Sequence, residues 1–180
     1  HGTGADEHDL LGLARALDPE ASVLSPRGMH LESGMNRFFE RYPDGSFNEA
    51  SIDQGVAELS EFIEAAIVEY ELDRSNIFGT GFSNGANTAA ALMIKHPALL
   101  SGAALFGSTK PYREVEDISL KGKRIWLANG DQDPYAPVQV SEAWVQELHS
   151  FGADIKWLRH PGGHQISQSH VTEIANALYL

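Results

Sequence analysis

The segment Gly81-Phe82-Ser83-Asn84-Gly85 is the part of the sequence best suited to chemistry, because it matches the pattern G-x-S-x-G. In that pattern the serine sits on a sharp, strained turn between a strand and a helix, where glycines avoid Cβ clashes with both elements. An apolar run over 76–79 precedes the motif, and a helical pattern follows it directly. We therefore predict that Ser83 is a nucleophile. The alternative is an inert serine in a glycine-rich turn that binds a phosphate at the helix N-terminus, but no lysine or second set of glycines accompanies it.

A serine hydroxyl needs a base to take its proton and a carboxylate to orient that base. With a G-x-S-x-G turn, these groups are expected in the chain order serine, acid, histidine. Two histidines follow a strand-like run late in the chain, His160 and His164. His164 follows two glycines that permit an unusual loop path, and it comes just before the last helix, so we predict that it is the base. For His160, next to the strand end, we predict a packing or surface role.

Two aspartates are candidates for the acid, Asp131 and Asp133, in a loop that follows another strand-like run. Asp131 follows Gly130 closely and is suited to bonding loop amides. Asp133 lies further out, on a backbone stiffened by Pro134. A D-x-D metal site is a further alternative, but no other cluster of ligands in the sequence supports it.

The opening residues His1-Gly2-Thr3-Gly4 resemble the H-G-x-G segment that follows an early strand in hydrolases with this serine turn. Glycines there allow backbone N–H groups to point at a developing oxyanion. We predict that the N–H groups of Thr3 and Asn84 are the two donors. The alternative is an ordinary glycine-rich terminus. Because such a segment should follow a strand, we expect one or more strands upstream that the chain as given lacks.

Alternating helical and strand patterns surround these motifs and must position them. Helical spacing of apolar residues predicts helices near 10–17, 56–70, 84–95, 138–148 and 171–178, and apolar runs predict strands near 21–25, 76–79, 102–106, 125–129 and 155–158. Repeated alternation predicts an α/β fold with a mainly parallel sheet and helices on both faces. In such folds the functional loops lie beyond the carboxyl ends of the strands, where the motifs above are found.

The composition fits one soluble domain over residues 1–180, with 42% hydrophobic and 21% charged residues. A net charge of −12 argues against binding nucleic acid or an anionic membrane. The absence of cysteine excludes a disulfide framework, a thiolate metal site and a cysteine nucleophile. The longest apolar stretch, 89–94, is far too short to span a membrane, and no signal segment opens the chain. A cytoplasmic location is the resulting expectation.

Taken together, these motifs resemble the phospholipase/carboxylesterase family of α/β hydrolases, which includes acyl-protein thioesterases. The resemblance implies an α/β-hydrolase fold, with the aspartate directly before the proline, Asp133, as the acid and His164 as the base. Segments 25–28, 34–39 and 44–47 are closer to a bacterial subgroup of carboxylesterases linked to hydroquinone resistance. The chain has Asn84 where the family usually has glutamine, and Phe38-Phe39 where it usually has Trp-Phe. These departures weaken a thioesterase-specific assignment.

The resemblance implies a serine carboxylesterase that hydrolyses small to medium esters through an acyl-enzyme intermediate. Only residues 107–123 join two of the predicted strands, too few for a cap domain, so an open site is expected. Tentative pocket residues are Met29, Met35, Phe38 and Phe39, with core packing equally open for the two phenylalanines. The alternatives are a thioesterase or lysophospholipase with the same triad, and a catalytically silent binding protein of this fold. A small-molecule ester is the expected partner, with no nucleic acid, membrane, cofactor or metal, and a homodimer is left open.

Overall fold

The computed structural model describes residues 1–116 and 118–178, which form a central sheet flanked by helices and a small separate hairpin. The elements in chain order are α1 (Leu11–Leu17), β1 (His30–Glu32), β2 (Met35–Arg37), α2 (Glu49–Glu69), a 3₁₀ turn (Arg74–Asn76), β3 (Phe78–Phe82), α3 (Asn84–Lys95), β4 (Gly102–Phe106), β5 (Arg124–Gly130), α4 (Val138–Ser150), β6 (Asp154–His160) and α5 (Gln168–Leu178).

The central sheet contains four parallel strands in the order β3-β4-β5-β6. Parallel neighbours need crossover connections, and a helix lies in the connections from β3 to β4 and from β5 to β6. The two central strands are apolar runs buried on both faces, with all five residues of β4 and six of the seven residues of β5 buried, whereas the edge strands β3 and β6 are only partly buried. The predicted α/β class, with a mainly parallel sheet, is therefore confirmed.

Side chains that alternate along the strands form two cores, one on each face of the sheet. On one face, Leu105 and Leu127 pack in a cluster with residues of α2, α3 and α4. On the other face, Phe106 and Trp126 pack with residues of α1 and α5. The sheet is thus covered on both sides, and the loops at the carboxyl ends of its strands share one edge.

One expectation for the first quarter of the chain is wrong. Residues 21–25 form no strand, and most of them are exposed, so they lack both a pairing partner and a buried face. The stretch that follows contains the antiparallel hairpin β1–β2, which the sequence pattern did not predict. Its turn residues Ser33 and Gly34 both have positive φ, 53° and 81°, as in the tight turns that match the twist of paired strands.

The connection between β4 and β5 contains no helix or strand within its described residues, 107–116 and 118–123. It packs onto the body of the protein, with Tyr112 and Leu120 buried. Separately, none of the helices in the described parts of the chain combines the length and apolar character needed to cross a membrane.

Candidate functional site

Ser83 occupies the turn between β3 and α3, and its backbone adopts φ 53° and ψ −115°. A residue with a Cβ rarely adopts a positive φ, and the conformation costs about 1–3 kcal/mol unless its surroundings impose it. Here the Ser83 N–H donates to the carbonyl of Phe106 at the end of β4 (2.9 Å), and the Ser83 carbonyl accepts from Asn87 in α3 (2.9 Å). The strained turn is thus held from the sheet and from the helix.

The second glycine of the motif is required by the opening segment of the chain. A Cβ on Gly85 would lie 2.7 Å from the backbone of His1, so only glycine lets that segment lie against the start of α3. Gly2 in turn lies against the Phe82 ring. His1 and Gly2 therefore lie close to the residues on either side of Ser83.

The two predicted oxyanion donors belong to these elements. Asn84 is the first residue of α3, where N–H groups have no acceptor within the helix, and its carboxamide oxygen accepts from the Phe38 N–H at 2.8 Å. No protein acceptor is recorded for the Thr3 N–H in the described residues. Neither N–H group therefore has a protein acceptor among the described residues, and the helix terminus adds partial positive charge at Asn84.

Asp133 and His164 meet beyond the ends of β5 and β6, where Asp133 Oδ2 lies 2.7 Å from His164 Nδ1. The Asp133 side chain is fully buried, and its Oδ1 accepts from the N–H groups of Tyr135 (2.8 Å) and Ala136 (3.2 Å). Because a carboxylate only accepts, His164 must donate through Nδ1–H, which leaves a lone pair on Nε2. Such an arrangement can orient an imidazole to act as a base.

The competing candidates have other partners. Asp131 is exposed and pairs with Arg159, with Nε and Oδ1 2.7 Å apart. The buried His160 ring accepts from the Gly162 N–H (3.1 Å) and packs against His170, with ring centroids 5.3 Å apart. The geometry therefore favours Asp133 over Asp131, and it gives His160 the packing role. The two carboxylates have different partners, and among the described residues no three His, Asp or Glu side chains are grouped as metal ligands, so the geometry gives no support to a D-x-D metal site.

Gly107, which no motif in the sequence singles out, makes room for the imidazole of His164. Its φ is +59°, and a Cβ there would lie 2.8 Å from His164 Cε1 and 3.1 Å from the Phe82 ring. The His164 ring also packs against Phe82, with centroids 4.7 Å apart, and against Tyr135 at 4.9 Å. Since Phe82 directly precedes Ser83, these contacts bring the histidine beside the serine turn. A glycine immediately after a predicted strand is the signal that could have identified Gly107.

Of the four tentative pocket residues, Phe39 was predicted wrongly. Its side chain is only 1% exposed and packs edge-on against Phe47, so it belongs to the core and does not line a pocket. Phe38 is partly buried and packs on the His1 ring. Met35 is exposed and lies against Gly4 in the opening segment. Met29 is 80% exposed, too exposed to form the wall of a pocket.

Comparison with known proteins finds relatives that are named as hydrolases or carboxylesterases. The family described as Phospholipase/Carboxylesterase matches residues 1–180. MhqD of Bacillus subtilis (strain 168), named as a hydrolase, is 38% identical over 179 residues, covering 99% of this chain and 89% of the relative. A Bacillus cereus carboxylesterase structure is 40% identical with a TM-score of 0.94, covering 98% of this chain and 84% of the other. A Mesorhizobium loti carboxylesterase structure is 30% identical with a TM-score of 0.93, covering 99% and 85%.

We expect the reactivity of Ser83 toward a fluorophosphonate to depend on His164 and Asp133. His164→Ala should slow labelling by roughly 10³–10⁴-fold, and Asp133→Asn nearly as much, because the imidazole then loses its tautomer and orientation. Asp131→Asn should change the rate by less than about threefold, because it removes only an exposed ion pair. The measurement is the second-order rate of labelling, followed by mass spectrometry. A slow Asp131→Asn together with a fast Asp133→Asn would reverse the assignment of the acid.

Proposed function

Because the chain belongs to the phospholipase/carboxylesterase family of hydrolases, we propose that it is a serine carboxylesterase with Ser83, His164 and Asp133 as its triad. The observation that supports this most directly is the 2.7 Å contact between Asp133 and His164, whose ring packs against the residue preceding the strained Ser83. Because His164 Nδ1 is bonded to Asp133, the Nε2 atom of the imidazole is left to accept the proton of the serine hydroxyl.

The proposed reaction has two halves. Ser83 Oγ attacks the ester carbonyl carbon while His164 Nε2 takes its proton, and the negative oxygen of the tetrahedral intermediate accepts from the N–H groups of Thr3 and Asn84. The intermediate then collapses, and His164 returns the proton to the leaving alcohol. A water molecule, deprotonated by the same imidazole, attacks the acyl-enzyme, releasing the carboxylic acid and restoring the serine hydroxyl.

The surroundings of the site favour small to medium soluble esters. Ser83 is partly exposed, and so are Met35, which lies against Gly4, and Tyr135, which packs on the His164 ring, at 41% and 65%. The β4–β5 connection lies on the body of the protein and adds no cap element in its described residues. An acyl chain would therefore find a few apolar contacts near the serine and then reach solvent.

A thioesterase or lysophospholipase would use the same groups and differ in substrate, and a silent binding protein would lack turnover. Labelling by a fluorophosphonate and the preference between esters and palmitoyl thioesters separate these alternatives. The cytoplasmic location, the homodimer and the absence of a metal requirement stay predictions.

Ser83→Ala should abolish hydrolysis of p-nitrophenyl acetate and labelling by a fluorophosphonate, because it removes only the attacking hydroxyl. The melting temperature should stay close to that of the wild type, because the backbone turn is unchanged. Ser150→Ala, at the exposed end of α4, is the matched control and should retain full activity. Turnover by Ser83→Ala, or a wild type that is folded but neither labelled nor active, would contradict the proposal, and the latter would favour a binding protein.

Hydrolysis of p-nitrophenyl acetate should be insensitive to EDTA, because every proposed step uses only side chains and backbone N–H groups of the chain. The measurement is the initial rate with and without chelator at one pH. A rate that is lost with EDTA and restored by a divalent cation would contradict the proposal.

Selectivity for acyl-chain length should peak at short to medium chains. Each methylene buried fully beside Ser83 contributes about 0.8 kcal/mol, and this gain should stop where the chain reaches solvent. The measurement is kcat/KM for p-nitrophenyl acetate through laurate below their micelle thresholds, with palmitoyl thioesters as comparison. Saturation should be simple, without a jump at micelle formation. A steady climb to laurate, or preference for the palmitoyl thioester, would favour the thioesterase or lysophospholipase alternative.

A further inference from the structure

Arg37, at the end of β2, carries a buried charge that the reaction scheme above does not use. Its side chain is 3% exposed. The Nε–H donates to the carbonyl of Phe39 (3.0 Å) and pairs with Glu32 Oε2 (3.3 Å), while Nη1 donates to Thr3 Oγ1 at 2.6 Å. Burying a guanidinium costs desolvation free energy unless hydrogen-bond acceptors and a counter-ion offset it. These contacts therefore fix one orientation of the side chain. One of the partners is the residue whose N–H is proposed to bind the oxyanion.

The guanidinium of Arg37 keeps its positive charge under the conditions of the reaction. Burial lowers the pKa of Arg37, nearby Arg41 acts in the same direction and Glu32 opposes them, but an arginine stays protonated in a protein. Hydrogen bonds from Arg41 hold the pKa of Glu32 below its usual value, so Glu32 remains the counter-ion at neutral pH. The bond to Thr3 is therefore charge-assisted, the stronger and more directional kind.

The opening segment is attached to the β1–β2 region on both sides of Thr3. The Gly28 N–H donates to His1 Nε2 (3.0 Å), and the Gly4 N–H donates to the carbonyl of Asn36 (2.9 Å). Thr3 itself stands between two glycines, whose backbones allow its peptide groups to rotate. Among the residues that the structure describes, Arg37 is the one partner recorded for the Thr3 hydroxyl.

We propose that Arg37 is a positioning residue for the oxyanion hole, holding Thr3 through the bond from Nη1 to Oγ1 so that the Thr3 N–H faces the oxyanion. This inference rests on the proposed esterase function and goes beyond it. An oxyanion donor acts through its placement, since the stabilisation depends on donors that are oriented before charge develops. Loss of the bond should therefore reduce kcat and leave substrate binding almost unchanged.

The test uses Thr3→Val, which removes the acceptor but keeps the N–H and the branched shape, and Thr3→Ser, which keeps an oxygen. Arg37→Met removes the donor, and Arg74→Met, at an exposed arginine paired with Glu64, is its matched control. Thr3→Val leaves the buried arginine in place, so the test survives if Arg37→Met does not fold. For each variant the measurements are kcat and KM for p-nitrophenyl acetate, the inhibition constant of a trifluoromethyl ketone, and the melting temperature.

We expect kcat to fall by about 10–100-fold in Thr3→Val and Arg37→Met, with KM within about threefold of the wild type. The affinity for the trifluoromethyl ketone, which forms an oxyanion on Ser83, should fall in parallel with kcat/KM. Thr3→Ser should lose much less than Thr3→Val, and the Thr3→Val/Arg37→Met double variant should be no slower than the slower single variant.

Three outcomes would overturn the inference alone: Thr3→Val with kcat within about twofold of the wild type, losses confined to KM, or losses that multiply in the double variant. A merely structural role would lower the melting temperature without the parallel loss of ketone affinity. A folded wild type that neither reacts with the fluorophosphonate nor hydrolyses esters would overturn the proposed function, and this inference with it.

Discussion

The backbone of Ser83 is the constraint on which the rest of the site depends. With φ at 53°, Ser83 turns the chain sharply from the end of β3 into the start of α3. The conformation is unfavourable in isolation, and it persists because the Ser83 N–H bonds to the end of β4 while its carbonyl bonds within α3. Strand and helix are fixed in turn by the two apolar cores, so the position of one hydroxyl is set by the packing of the whole sheet.

The same edge of the sheet brings the proposed acid and the proposed base together. The Asp131 N–H donates to the His160 carbonyl (2.8 Å), and the Gln132 N–H donates to the Gly162 carbonyl (3.0 Å), so the loops after β5 and β6 are joined through their backbones. Asp133 and His164 lie on these two loops, and their 2.7 Å contact follows from that attachment. A buried carboxylate with three hydrogen-bond donors is strongly oriented, and so is the imidazole it holds.

The region between α1 and α2 supports the site in a different way. Phe39 anchors it in the core, and the Phe38 N–H donates to the Asn84 side chain at the start of α3. From this anchored position, Arg37 reaches Thr3. The region therefore joins the opening segment to the serine turn, and its exposed Met35 lies against Gly4 of that segment.

The sequence by itself determined the α/β class, the bounds of α3 and β4, and the residue types and chain order of the candidate triad. These features are local, because apolar runs, helical spacing and the G-x-S-x-G turn are written in neighbouring residues. Between Asp131 and Asp133 the residues alone left the choice open; the family resemblance favoured Asp133, and the contact with His164, 31 positions away, supports that choice. The burial of Phe39, the space that Gly107 leaves for the imidazole and the bond from Arg37 to Thr3 were decided only by the tertiary structure. Each depends on segments far apart in the chain, and the sequence pattern does not encode which side chain turns inward where they meet.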